Sequence, residues 1–149
     1  MDLPSLAFAL QEISAFAWLG LIWTVQLVSY PGFLHVPPEQ FPAAHRAHSL
    51  RIAWVVVPLF IMEVAACLVW LCLLLDTRTA WHFSVAACVA VAWTSTFLIQ
   101  VPLHHRLSRQ PEATAIRRLI ATNWIRTIAW SGKAGLMVWH ALAPSTPGA

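Results

Sequence analysis

The stretch Ile52-Ala-Trp-Val-Val-Val-Pro-Leu-Phe-Ile-Met-Glu-Val-Ala-Ala-Cys-Leu-Val-Trp-Leu-Cys-Leu-Leu-Leu75 holds a single charged side chain, Glu63. A helix needs about 20 mostly apolar residues to cross the hydrocarbon core of a bilayer. The run is therefore predicted to be a transmembrane helix. Working outward from it, residues 13–30, 83–103 and 119–142 meet the same length and composition requirement. The fold class that follows is all-α. The whole chain, residues 1–149, is predicted to be one domain, an antiparallel four-transmembrane-helix bundle joined by segments 31–51, 76–82 and 104–118. The tail from Pro144 is too short and polar to add an element.

Composition points the same way. Of the 149 residues, 59% are hydrophobic and 10% charged, against about 25% charged in soluble domains. Mean hydropathy is +0.67. These values exclude an ordinary soluble domain, and they exclude disorder because apolar surface is plentiful. The nine Trp suit membrane interfaces and helix packing. Cys67, Cys72 and Cys88 all fall in apolar runs and read as small buried hydrophobes rather than a disulfide framework. The net charge of +3 is not gathered into a basic patch interleaved with aromatics, so nucleic acid is not an expected partner. The expected partners are the lipid bilayer and a lipophilic small molecule, with a homo-oligomer left open.

The first span follows Asp2 and Glu12 with no Lys or Arg before it. It lacks the basic start of a secretory signal and reads as a retained helix. Orientation follows from Lys and Arg beside the spans. Arg46, Arg51, Arg106, Arg109, Arg117 and Arg118 lie on one side, Arg78 and Lys133 on the other. This places both long loops in the cytoplasm and both termini outside. The expected location is the bacterial inner membrane. Tyr30-Pro-Gly-Phe is predicted to break the first helix, with helical pattern resuming from Ala43.

Ionisable and polar residues inside spans require a reason. Glu63 and Arg126 lie at compatible depths and are predicted to pair, or to face a ligand. Asn123, Arg126, Thr127 and Trp130 follow i, i+3, i+4, i+7 and share one helical face, directed at the bundle interior as polar glue or as a pocket wall. Lys133, near the outer end, is expected to snorkel. His45 and His48 share a face at i, i+3, and His104 and His105 lie at the same membrane side. His45, His48 and His104 are candidate ligands for a transition metal (iron, copper or zinc) or for a haem iron. Glu63, about 22 Å along the helix from His48, is left out of that set. No P-loop, dinucleotide-binding glycine pattern or nucleophile elbow is present.

Tyr30-Pro-Gly-Phe, Phe41 with its His-containing continuation, Pro102-Leu-His-His-Arg-Leu and Asn123-Trp-Ile-Arg-Thr together resemble the small four-helix membrane proteins of the anthrone-oxygenase-like group. In that group helix three ends in a Pro-x-Asn-x-x-Leu-type motif, and helix four carries a Trp-Asn-x-x-Arg-Thr-type motif. Here His104 stands in place of the Asn, and Asn123-Trp124 is in reverse order. The resemblance implies oxidation of a lipophilic aromatic substrate within the membrane, near Asn123, Arg126 and His104. Trp18-Leu-Gly-Leu and the Arg51…Pro58 approach are more faintly similar to the bacterial haem-binding protoporphyrinogen oxidase. His35 matches that family's histidine only approximately, and no residue matches its lysine.

The expected function is a membrane-embedded oxidoreductase or oxygenase acting on a lipophilic aromatic or quinone-like molecule. Arg126 and Asn123 would stabilise oxyanion character. His104, with His45 or His48, would take a proton or hold a metal. Tyr30 would donate a hydrogen bond, and Glu63, Thr127 and Trp130 would contact substrate. Two alternatives stand beside it. One is a non-catalytic haem- or metal-binding protein for assembly or electron transfer, marked by a Soret band or stoichiometric metal. The other is a structural or transport subunit, in which Asn123→Ala lowers stability and abolishes no chemistry.

Overall fold

The computed structural model describes residues 3–73 and 80–142, and all regular structure among them is helical. The expected connection at 76–82 lies outside the described residues as far as position 79, as do Arg78, the last two residues of the second predicted span and the tail. Helix α1 (Leu3–Thr24) passes through a π-helical turn, Val25–Ser29, into the short α2 (Tyr30–Gly32) and a 3₁₀ turn, Phe33–His35. Helix α3 spans Phe41–Leu73. Helix α4 (Ala80–Ser95) passes through a second π-helical turn, Thr96–Gln100, into α5 (Val101–Arg109), and α6 spans Ala113–Leu142.

The two π turns share one cause. Each ends just before a proline: the Tyr30 N–H bonds the Val25 carbonyl ahead of Pro31, and the Val101 N–H bonds the Thr96 carbonyl ahead of Pro102. Proline has no N–H, and its ring clashes with the carbonyl four residues back. Widening the preceding turn to i→i+5 accommodates it without ending the helix. The expectation that Tyr30-Pro-Gly-Phe breaks the first helix is therefore corrected. The break falls at Val36, which is extended (φ −83°, ψ 125°) because the next residue is Pro37. Likewise Pro102 does not close its helix, and His104 lies in α5 rather than in a loop. That rod stops at Arg109 because Gln110, which precedes Pro111, is extended (φ −143°, ψ 116°). The connection to α6 shrinks to residues 110–112.

Among the described residues, three helices are long and apolar enough to cross a membrane: Ser5–His35, Phe41–Trp70 and Ala80–Arg109. Their outer faces carry large exposed hydrophobics such as Trp54 (83% exposed), Leu98 and Leu27. Helix α6 is not among the three. Asn123, Arg126, Ser131, Lys133 and His140 lower its hydropathy, yet Asn123, Arg126, Thr127 and Lys133 are all buried. Its polar face is turned inward, with α1 along one flank and α4 along another, while α3 packs along α1, and Ile128 and Trp139 face outward. Helix α3 meets α4 through aromatic side chains, Phe60 on Trp93 with centroids 4.3 Å apart and Trp70 on Trp81 at 5.1 Å. Between them, Trp18 of α1 stacks on Trp130 of α6 at 4.8 Å and 6°.

A fully buried ion pair joins α3 to α6. Lys133 Nζ donates to both carboxylate oxygens of Glu63, at 2.7 and 2.6 Å, and to Ser14 Oγ at 2.9 Å. Both side chains are 0% exposed. All three ammonium protons are thereby used. Cys67 donates to Glu63 Oε1 at 3.3 Å, and Gln11 Nε2 donates to Cys67 Sγ at 3.2 Å. This corrects two expectations: Glu63 pairs with Lys133 rather than Arg126, and Lys133 does not snorkel. The reason is register. Lys133 falls seven residues, two turns, beyond Arg126 on the same face of α6. Glu63 and Lys133 stand 22 and 20 residues from the starts of their helices, whereas Arg126 stands 13 from the start of α6.

Removing one partner of such a pair leaves a buried charge uncompensated. Lys133→Met is expected to destabilise the protein by about 3–5 kcal/mol, while Glu63→Leu combined with Lys133→Met recovers most of that loss. Thermal unfolding in detergent reads both. A double variant no more stable than the single one contradicts the assignment.

Candidate functional site

A cavity of about 690 Å³ lies between the second half of the first rod, the start of α3 and the π turn leading into α5. Its body is apolar, formed by Leu21, Ile22, Val25, Ile52, Ala53 and Val56. At its rim Leu50, Val57 and Val101 are each at least half exposed. Exposed Arg46, His105 and Ser108 line the cavity as well, so its opening has an apolar and a polar side.

Two proline-linked π turns bring the polar wall together. The first sets Tyr30 and the second sets His104 on facing rods. His45 comes from the first turns of α3, which pack on α5. The Tyr30 hydroxyl lies 3.0 Å from His104 Nε2, and His104 Nδ1 lies 2.9 Å from His45 Nε2. Phe33 and Phe41 pack against His45, fixing its ring, with centroids 5.5 and 5.6 Å away. Tyr30 and His45 are buried, and both line the cavity with His104. Each imidazole in this chain has one N–H and one lone pair, so the protons can be arranged in two ways. In one, Tyr30 donates to His104 and His104 donates to His45. In the other, both bonds are reversed and the Tyr30 proton is turned away from His104. The two arrangements differ by the passage of one proton from end to end.

Arg126 supplies the positive charge. Its guanidinium lines the cavity and acts electrostatically on both Tyr30 and His104. A polarised series of amides holds it in place. Gln26 Nε2 donates to the Ile120 carbonyl at 3.3 Å, and Gln26 Oε1 accepts from Asn123 Nδ2 at 2.8 Å. Asn123 Oδ1 then accepts from Arg126 Nη1 at 3.2 Å. Thr127 Oγ1 lies 3.3 Å from Gln26 Oε1 and 3.1 Å from the Asn123 carbonyl. Every amide orientation in the series is set by the next partner.

Of the residues singled out from the sequence, Tyr30, His45, His48, His104 and Arg126 meet at the cavity. Asn123 and Thr127 do not reach it: they bind Gln26 and orient Arg126. Trp130 lies behind Trp18, and Glu63 belongs to the ion pair with Lys133. The expected metal set of His45, His48 and His104 is not assembled. Both ring nitrogens of His104 are hydrogen-bonded, and the His48 ring is turned edge-on to Phe33 at 5.0 Å. Among the described residues no three His, Cys, Asp or Glu side chains are grouped to hold a metal. Trp18, Gln26 and Gln100 were not anticipated. A lone glutamine inside an apolar run is the same kind of signal as Glu63 and would have pointed to two of them.

No family model, curated protein or solved structure matches this chain.

Asn123→Ala is expected to lower stability by about 1–3 kcal/mol, because it removes one of the two donors to the Gln26 carbonyl and leaves one Arg126 nitrogen without its partner. Denaturation of the purified variant measures this, and an unchanged midpoint contradicts the amide series.

Proposed function

We propose that the protein is a four-span membrane oxidoreductase or oxygenase acting on a lipophilic aromatic or quinone-like molecule that enters the cavity from the bilayer. The short connections at 36–40 and 110–112 would be cytoplasmic and both termini outside, as the Lys and Arg distribution favours. In this reading α6 is the fourth span, tolerated in the membrane because its polar face is covered by the other helices. The observation that carries the proposal is the Tyr30–His104–His45 hydrogen-bond chain, ending beside Arg126 on the wall of an open cavity whose body is apolar. A likeness to the anthrone-oxygenase-like group supports the same substrate class.

The chemistry assigned to the residues is proton transfer and charge stabilisation. A substrate hydroxyl or enol hydrogen-bonds the Tyr30 oxygen. Its proton passes to Tyr30 as the Tyr30 proton moves to His104 Nε2, the His104 Nδ1 proton moves to His45 Nε2, and His45 releases its own from Nδ1. Arg126 stabilises the oxyanion left on the ring. The electron-rich ring is then oxidised by dioxygen. A quinol gives up two electrons and two protons, yielding quinone and hydrogen peroxide. A ring methylene activated through its enol takes up one oxygen atom as a carbonyl, and the other leaves as water.

General acid–base groups contribute about 10²–10⁴-fold to rate. Tyr30→Phe and His104→Phe are expected to reduce oxygen consumption with an anthrone or a lipophilic quinol by that range, while each changes substrate affinity less than about tenfold. Oxygen-electrode assays on protein in lipid discs decide it. Turnover at the wild-type rate in His104→Phe, or none in the wild type with any such substrate, overturns the proposal.

A further inference from the structure

Arg126 is 8% exposed and lines the cavity, yet no carboxylate balances its charge. Among the described residues, the ion pairs of Lys or Arg are Lys133–Glu63 and Arg106–Glu112. The Arg126 guanidinium makes one hydrogen bond among those residues, from Nη1 to Asn123 Oδ1 at 3.2 Å, and that partner is a neutral amide. Nε is sealed within the protein, which leaves Nη2 as the nitrogen that can meet a ligand. A buried cation without a counter-ion is costly. Lys133, two turns further along the same helix, shows the remedy, since Glu63 neutralises it there.

The rest of the lining has the same sign. No Asp or Glu lines the cavity, whereas Arg46 stands at its opening, outside any ion pair among the described residues. The other ionisable groups there are histidines and Tyr30, side chains that supply no negative charge at neutral pH. The potential inside the cavity is therefore positive and draws in anions. The hydrogen-bond chain can answer an anion without gaining a proton. When His45 donates to His104 and His104 donates to Tyr30, the Tyr30 hydroxyl proton is turned away and can meet a negative oxygen. A hydrogen bond to an ionised acceptor is roughly twice as strong as one to a neutral acceptor. The same arrangement is the one left after a substrate hydroxyl has given its proton to the chain.

Resting on the reading of the cavity as the seat of a lipophilic molecule, we infer that this ligand is held as an anion. The group set against Arg126 is a carboxylate or an ionised phenol or enol, carried on an apolar body that fills the space lined by Leu21, Ile22 and Val56. A neutral quinone or ether of the same shape brings no charge to Arg126 and is held less tightly. Lipophilic carboxylates therefore bind this cavity in their own right.

Two probes of nearly the same shape and different charge, 2-naphthoate and 2-naphthamide, test this without requiring oxidation. Calorimetric titration of the full chain in discs of zwitterionic lipid compares them. The carboxylate is expected to bind about 10–100-fold more tightly than the amide. Arg126→Gln removes that preference, while Arg126→Lys, which keeps the charge, retains it. Equal binding in the wild type, as when water in the cavity solvates Arg126, overturns the inference, as does a preference that survives Arg126→Gln. The wild-type comparison decides even where a variant does not fold. Native mass spectrometry separates two sources of the anion. An acidic lipid that stays on the purified wild type and is lost from Arg126→Gln comes from the bilayer, whereas a lipid-free site that takes naphthoate is served by a dissolved acid. Both results uphold the inference. Equal binding overturns the charge preference alone, and failure of both probes to bind overturns the reading of the cavity as an aromatic site as well.

Discussion

Asparagine, arginine, threonine and lysine on one face of α6 need polar partners, and that requirement arranges the rest of the molecule. Helix α1 answers with Gln26 and Ser14, and α3 answers with Glu63. The interior is thus divided along its length. At one end a closed ion pair, with its ammonium protons all used, has nothing left to offer a ligand. At the other end Arg126, held by Asn123, lines the cavity. The same stripe therefore serves as glue in one half and as a pocket wall in the other.

The second constraint is backbone geometry. Pro31 and Pro102 would each interrupt an α-helix, and in each case a π turn absorbs the proline while the rod continues. Because π turns carry an extra residue, the side chains beyond them are rotated relative to an unbroken helix. Tyr30 and His104 both lie beyond such turns, on rods that face one another. Their meeting with His45 depends on two local distortions, which is why a short hydrogen-bond chain forms between residues far apart in sequence.

Helical class, apolar spans and the polar face of α6 were legible from residue types and spacing alone, because burial and period are local properties. The pairing of Glu63 was not, since partner choice depends on relative register between helices. Continuing the stripe by one more i+3 step would have reached Lys133. The three histidines share a depth and meet at the cavity, but depth alone does not reveal which of their ring nitrogens are hydrogen-bonded. The prolines were read as breaks because a single sequence does not distinguish a helix that ends from one that widens. The connection at 110–112 was overestimated for the same reason.

Photo-crosslinking in native membranes would show whether the cavity holds an aromatic ligand. An aryl-azide derivative of a naphthol, activated in the presence of the full chain, is expected to label the cavity wall on α1 and on the first turns of α3. Excess unlabelled methoxynaphthol is expected to suppress that labelling. Labelling spread over lipid-facing residues such as Trp54 and Leu98, and unchanged by competitor, would mean that the cavity does not hold an aromatic ligand.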